Sequence, residues 1–268
     1  MNNSLYIAAT GMQAQQLGLD TIANNLTNLS TPGYKTSGVN FQELMYVDPT
    51  GKRSLKHGDV KGEDEAAATQ RPYGVGVAVG SVTKDFMTAG TITSTGNPMD
   101  IAIQGNGFLE MTLADGSHAY TRGGTLQIGS DNDLLSPQGY ELKPTVRLPA
   151  NPTSISITST GQVMVTTATS TRATQVGQLE LATFNNPGAL NPQGNGSYLP
   201  TDASGRASYG KPGETNLGTV TQGSLEGSNV NMVNQMVALM VAQRAYELSS
   251  KVIQTADELM SLTNNLRR

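Results

Sequence analysis

The sequence predicts an α+β chain in which long N- and C-terminal α-helices pair as a coiled-coil-like module around a central antiparallel β-domain. Three observations carry this reading. Apolar residues recur every seven positions near both ends, their period falls to two between about Val75 and Phe184, and Gly- and Asn-based turns punctuate the alternating runs. A length of 268 residues is ample for a buried core, and the fold divides into terminal helical segments (1–45 and 224–268), an extended arm (46–74), a β-rich outer domain (75–200) and a return linker (201–223).

The first helix is expected over Asn3 to Leu29. Leu5, Met12, Leu19 and Leu26 form one row, and Ala8, Ile22 and Leu29 a second that Gln15 interrupts. Gly11 and Gly18 each cost about 1 kcal/mol relative to Ala, so the helix is marginal alone. Pro32-Gly33 marks its stop. Only Asp20 is charged before Lys35, whereas a water-exposed coiled coil carries ions beside its seam. The outer face is therefore expected to meet protein, either this chain's own core or other copies.

The last helix is expected from Asn229 to about Leu266, capped by Ser228 or Asn229. Met232, Leu239, Tyr246, Ile253 and Met260 recur every seven residues beside a second row of Ala238, Ala245, Val252, Leu259 and Leu266, with Ala242 and Ala256 widening the stripe. At 1.5 Å per residue it reaches about 57 Å. A domain of this size cannot bury that length, so the stripe calls for a partner helix, and the N-terminal row is the candidate.

In the middle, Ile101/Ile103, Ile155/Ile157, Val163/Val165 and Leu179/Leu181 alternate as short strands do. Turns are expected at Gly96-Asn97-Pro98, Gly105-Asn106-Gly107, Ala114-Asp115-Gly116, Pro137-Gln138-Gly139 and Thr160-Gly161. Asp48 to Arg71 holds ten of the 38 charges and reads as a solvated, mobile arm, while Thr201 to Gly223, rich in Gly, Ser and Thr, reads as a connector.

Composition narrows the function. A net charge of −4 offers no basic face for nucleic acid or an anionic membrane. The longest apolar run, Met236 to Ala242, is far short of the roughly 20 residues of a spanning helix, so no direct membrane insertion is expected. The opening stretch lacks the basic start and apolar core of a cleavable signal. Without Cys there is no disulfide framework and no thiolate site. His57 and His118 stand far apart without acidic partners, Asp131-Asn132-Asp133 lacks the glycine of a calcium loop and reads as a hairpin turn, and Gly74, Gly76 and Gly80 miss dinucleotide spacing and read as backbone turns. No catalytic constellation, cofactor site or metal site is expected.

Three stretches carry a resemblance. Ala23-Asn24-Asn25-Leu26-Thr27-Asn28-Leu29-Ser30-Thr31-Pro32-Gly33-Tyr34-Lys35 resembles the N-terminal signature of the bacterial flagellar rod and hook family. Glu226 to Asn231, Ala242-Gln243-Arg244-Ala245-Tyr246-Glu247 and Ser250 to Glu258 resemble that family's other end, and Asn97 to Phe108 with Ala119-Tyr120-Thr121-Arg122 its centre. Thr27, Leu109, Gly123 and Ser249 depart from the usual residues.

The resemblance implies a structural axial subunit of the flagellar basal body whose terminal helices pack with those of neighbouring copies into a tube, with the β-domain outside. The Ala242 to Glu247 run favours the distal rod, a drive shaft crossing the periplasm. The proximal rod and the hook share the signatures, and a secreted β-rich binding module stays open for the middle alone. Implied partners are further copies, other rod subunits and the hook protein, the surrounding P- and L-ring proteins, and the flagellar type III export apparatus, which would pass the chain unprocessed. The expected assembly interface comprises Leu5, Met12, Leu19, Ile22, Asn24, Asn25, Leu26, Asn28 and Leu29 from the first helix, and Met232, Leu239, Arg244, Tyr246, Val252, Ile253 and Leu259 from the last. Asn24, Asn25 and Asn28 are expected to satisfy buried polar groups at the helix end.

Overall fold

A computed structural model describes residues 2–44, 46–47, 73–74, 76–167 and 170–266. Helix α1 covers Asn2–Thr27 and helix α2 covers Met232–Leu266. Among the described residues the strand pairs between them run antiparallel where a register is resolved. The chain divides into two compact units: Met1–Asn24, Gly38–Val82 and Val233–Arg268 form the first, and Asn25–Ser37 with Thr83–Met232 the second.

Both helices start or stop at places set by side-chain bonding. α1 ends five residues before Pro32, because the chain must turn to bring Ser37 back onto Asn25. Leu29 N bonds to Leu26 O and Thr31 N to Asn28 O in that turn. α2 begins after Asn229, whose side chain is spent on Thr36, Asp85 and Thr88 instead of capping.

In the first unit, strands Ser37–Glu43 and Val77–Lys84 pair. Beyond them Tyr46 pairs with Gly74 and Val47 with Tyr73. The ends of the expected arm thus form a short ladder, and its interior, 48–72, lies outside the described residues. Val77–Lys84, read as the start of the outer domain, groups largely with the helices. Gly80 sits in this strand, not in a turn, and a Cβ there would lie 2.8 Å from Gln42 Cγ. On the helices, burial follows small residues: Ala8, Ala14 and Ala242 are buried, and a Cβ on Gly11 would lie 3.8 Å from Ser249 Oγ, so α1 and α2 meet there.

The second unit holds the core. Its seven-stranded sheet runs in the order 127–128, 134–135, 141–143, 109–112, 118–121, 197–199, 191–194, and Asp100–Gln104 lies between 219–222 and 123–125 in a three-stranded sheet. Ile101, Ile103, Leu109, Met111, Leu134, Leu142, Val163, Val165, Leu179 and Leu181 are all but fully enclosed in one cluster. Val163 and Val165 alternate with less buried neighbours as a one-sided strand should. Asp100–Gln104 instead buries four successive residues, so it is covered on both faces. Beside this core Phe86, Phe108, Tyr120, Phe184 and Tyr198 pack edge to face, with centroids 4.8 to 6.2 Å apart.

The predicted turns at Gly96, Gly105, Gly107, Gly116, Gly139 and Gly161 all take positive φ, which glycine adopts without strain. Asp131 to Asp133 lies in the connection between paired strands 127–128 and 134–135, with Asn132 at φ 61°. The 201–223 segment, expected to connect, also supplies strands: Ser208–Gly210 pairs with Leu181–Thr183, and Thr219–Gln222 with Asp100–Gln104. Its backbone finds partners in the sheets, so polar composition alone did not mark it as irregular. Leu142→Ala should destabilise the second unit by about 2–5 kcal/mol, since a fully enclosed side chain leaves a cavity; urea denaturation monitored by circular dichroism measures it.

Candidate assembly site

The segment after α1, residues 25–37, is anchored by side chains that fold it against its own turn. Asn25 is 1% exposed. Its Nδ2 donates to Ser37 O (2.8 Å), while its Oδ1 accepts from Ser37 N (2.9 Å) and Tyr34 Oη (3.0 Å). Lys84 Nζ lies 4.5 Å from the Tyr34 ring centroid and donates to Lys35 O (3.1 Å).

Deeper in the same unit, three charges meet. Lys35 Nζ lies 2.8 Å from Glu226 Oε1, and Arg122 Nη2 lies 3.2 Å from Glu226 Oε2, with all three side chains nearly inaccessible. Buried charges cost free energy unless paired and hydrogen-bonded, and each of these has an ionic partner and further hydrogen bonds. Lys35 Nζ also donates to Thr88 O (2.9 Å), and Gly90 N donates to Glu226 Oε1 (3.0 Å). Arg122 Nη1 donates to Gly105 O (2.9 Å) and Gly107 O (2.8 Å), and its guanidinium stands 5.7 Å from the Phe108 centroid. Gly90 is obligatory here, because a Cβ would collide with the Gly227 carbonyl oxygen.

Burial pushes the Lys35 amine below its usual range, only partly offset by the bond to Glu226 and its charge. Burial acts to raise the Glu226 carboxyl, yet Arg122 and the Lys35 bond and charge overcome it and hold the group below the ordinary carboxylate value. Next to this cluster, Asn229 Oδ1 accepts from Thr36 N and Thr36 Oγ1 (both 2.7 Å), while its Nδ2 donates to Asp85 O (3.0 Å) and Thr88 O (3.2 Å).

The terminal helices present the opposite chemistry. On α2, Val233 (68% exposed), Val241 (63%), Leu248 (65%) and Leu259 (57%) stand open together with Met232, Met236, Val237, Met240, Tyr246, Val252 and Leu262. Half-buried or buried positions on this helix are mostly small: Ala238, Ala242, Ala245, Ser249 and Ala256. Small residues allow close helix approach, which leaves the large apolar side chains on the flanks. The alanines Ala238, Ala242, Ala245 and Ala256 of the expected stripe are thus covered, as are Leu239, Ile253 and Met260 in part, whereas Met232, Tyr246, Val252 and Leu259 stand open.

Among the residues expected at the interface, Leu5, Met12, Leu19, Ile22, Leu26, Asn28, Leu29, Leu239 and Ile253 are half-buried, while Asn24, Met232, Arg244, Tyr246, Val252 and Leu259 are exposed. Asn25 is spent within the chain as described, Asn28 Oδ1 accepts from Thr31 Oγ1 (3.1 Å), and Arg244 pairs with Glu247 at 2.9 Å. Lys35, Arg122 and Glu226 were absent from the expected site. Their signal was present: each is an ion inside a signature stretch of a chain poor in ions. His118, itself exposed, places Nδ1 2.7 Å from the largely buried Glu110 carboxylate; His57 lies outside the described residues. Among the described residues no group of three or more His, Asp or Glu converges as metal ligands, and no helix is long and apolar enough to cross a membrane.

Two helices with open apolar flanks, in a chain whose β-body carries one buried charge cluster, define a protein built to be joined to other protein. Residues 5–35 match the family "Flagella basal body rod protein", 102–165 match "Flagellar hook protein FlgE/F/G D1 domain", and 221–266 match "Flagellar basal body rod FlgEFG protein C-terminal". Each matched stretch contributes one member of the cluster. The chain is 39% identical to the flagellar basal-body rod protein FlgG of Borreliella burgdorferi over the full length of both, and 39% identical to that of Caulobacter vibrioides over 98% of this chain and 99% of the relative. Identity to FlgG of Bacillus subtilis is 32% over the full length of both. The chain belongs to the flagellar basal-body rod protein family.

Glu226→Gln should cost about 3–5 kcal/mol in denaturant melts, because it strips the counter-charge from two buried cations. Since its folded pKa is lowered, Glu226 contributes stability that is fully present above 4.5 and lost as pH falls through its folded value. The gap between wild type and Glu226→Gln should therefore narrow in acid, which a pH series of melts reads.

Proposed function

We propose that this chain is a structural axial subunit of the flagellar basal body that polymerises into the distal rod and carries torque across the periplasm to the hook. The supporting observation is the open apolar flank of α2, which carries many large side chains. Its exposure to water is unfavourable at roughly 25 cal/mol per Å² of apolar surface, and neighbouring copies offering the same helices would remove it. Full-length likeness to FlgG relatives supports the distal position within the rod.

In this reading the helical segments 1–45 and 224–268 form the tube, with the expected interface rows from Leu5 to Leu29 and from Met232 to Leu259 packed between copies. The β-rich body lies outside, facing the P- and L-ring proteins, and the 46–74 arm bridges adjacent subunits. The chain leaves the cytoplasm through the flagellar type III export apparatus. The role is mechanical and catalyses no reaction.

Val252→Asp with Leu259→Asp tests this. Both positions are exposed, so the chain should fold normally by circular dichroism while rod assembly, seen by electron microscopy, and motility are lost. Normal rods from the double variant would remove this flank from the interface.

A further inference from the structure

We propose that the two chain ends are seated on the β-body in a fixed order of dependence: the C-terminal root, residues 223–230, docks by itself and forms the platform on which the N-terminal root, residues 25–37, is then held.

The asymmetry lies in where each root finds its partners. The C-terminal root keeps a strand partner, an ion pair and several hydrogen bonds within the β-body even when the bonds of Asn229 N and Oδ1 to residues 34 and 36 are set aside. Ser224–Glu226 pairs with Ile92–Ser94, Gly227 N donates to Thr91 O (2.7 Å), and Asn229 Nδ2 reaches Asp85 O and Thr88 O. Glu226 meets Arg122, which is fixed by its place between strands and by the carbonyls of Gly105 and Gly107. This pair is electrically neutral and needs nothing from residues 25–37.

The N-terminal root lacks that independence. Gly33 N donates to Glu226 O (2.7 Å), Asn229 N to Tyr34 O (3.4 Å), and both Thr36 donors use Asn229 Oδ1. Lys35 enters as a second cation beside Arg122. Among the described residues its ion-pair partner is Glu226. Asp85 adds a weaker attraction, but its carboxylate is engaged by Met87 N, Thr88 N and Thr88 Oγ1. Without Glu226, Lys35 would be buried with Thr88 O as its bonded acceptor and Arg122 repelling it. Burying Lys35 without its counter-ion costs free energy whether the amine stays charged or gives up its proton, so a missing C-terminal root should loosen the N-terminal one, whereas a missing N-terminal root leaves the Glu226 and Arg122 pair intact.

Hydrogen exchange by mass spectrometry on the full chain tests the order. Glu226→Gln should speed exchange across 25–37 by at least about tenfold while peptides covering 101–111 keep wild-type protection. Lys35→Met should leave 223–230 at wild-type protection. The double variant, which no longer buries an ammonium at position 35, should protect 25–37 better than Glu226→Gln alone. Wild-type protection of 25–37 in Glu226→Gln would overturn the proposal. So would Lys35→Met exposing 223–230 as strongly as 25–37. Should Glu226→Gln unfold 101–111 as well, the Lys35→Met result decides.

Discussion

One carboxylate holds the sequence together. Glu226 is buried between Lys35 and Arg122, and these residues stand 191 and 104 positions from it along the chain. A buried ion pair contributes little net stability compared with a well-packed apolar replacement, but losing one member is severe. Its value here is specificity. Three segments distant in sequence can be buried together in one arrangement, because any other leaves a charge without its partner. Asn229 adds the same constraint in neutral form, with both ends of its amide bonded.

This weld separates two kinds of stability in one chain. The β-body is closed, with an aliphatic core and a ring of edge-to-face aromatics. The helices end in the opposite condition, with large side chains open and small ones covered. A chain that met all its apolar surface internally would have no use for neighbours. The division between a finished body and unfinished ends suits a subunit of a flagellar rod, where rigidity has to continue from one copy to the next.

Much of this was legible in the sequence. The seven-residue rows located both helices, and the glycine turns located the strand breaks, because both signals arise from local backbone geometry. Helix ends were shifted, since Asn25 and Asn229 take partners that come from elsewhere in the chain. The strand Thr219–Gln222 was hidden by polar composition; its fit depends on Asp100–Gln104, more than a hundred residues earlier. Periodicity located much of the covered flank of α2, since Ala238, Leu239, Ala242, Ala245, Ile253, Ala256 and Met260 are buried or half-buried, but Met232, Tyr246, Val252 and Leu259 from the same rows are exposed. There Ala242 is buried and Val241 beside it is open, an outcome set by how closely the helices approach. The charge cluster is the clearest omission, as Lys35, Arg122 and Glu226 were each read within a signature without being joined.

The central claim is that Lys35 and Arg122 are coupled through Glu226. Its most direct test is the urea midpoint of a triple variant, Lys35→Met, Arg122→Met and Glu226→Leu, set against the three single variants. If both cations depend on Glu226, the triple variant should be more stable than Glu226→Leu alone, because no buried charge is left unpaired. A triple variant whose loss equals the sum of the three single losses would show independent residues and contradict the account.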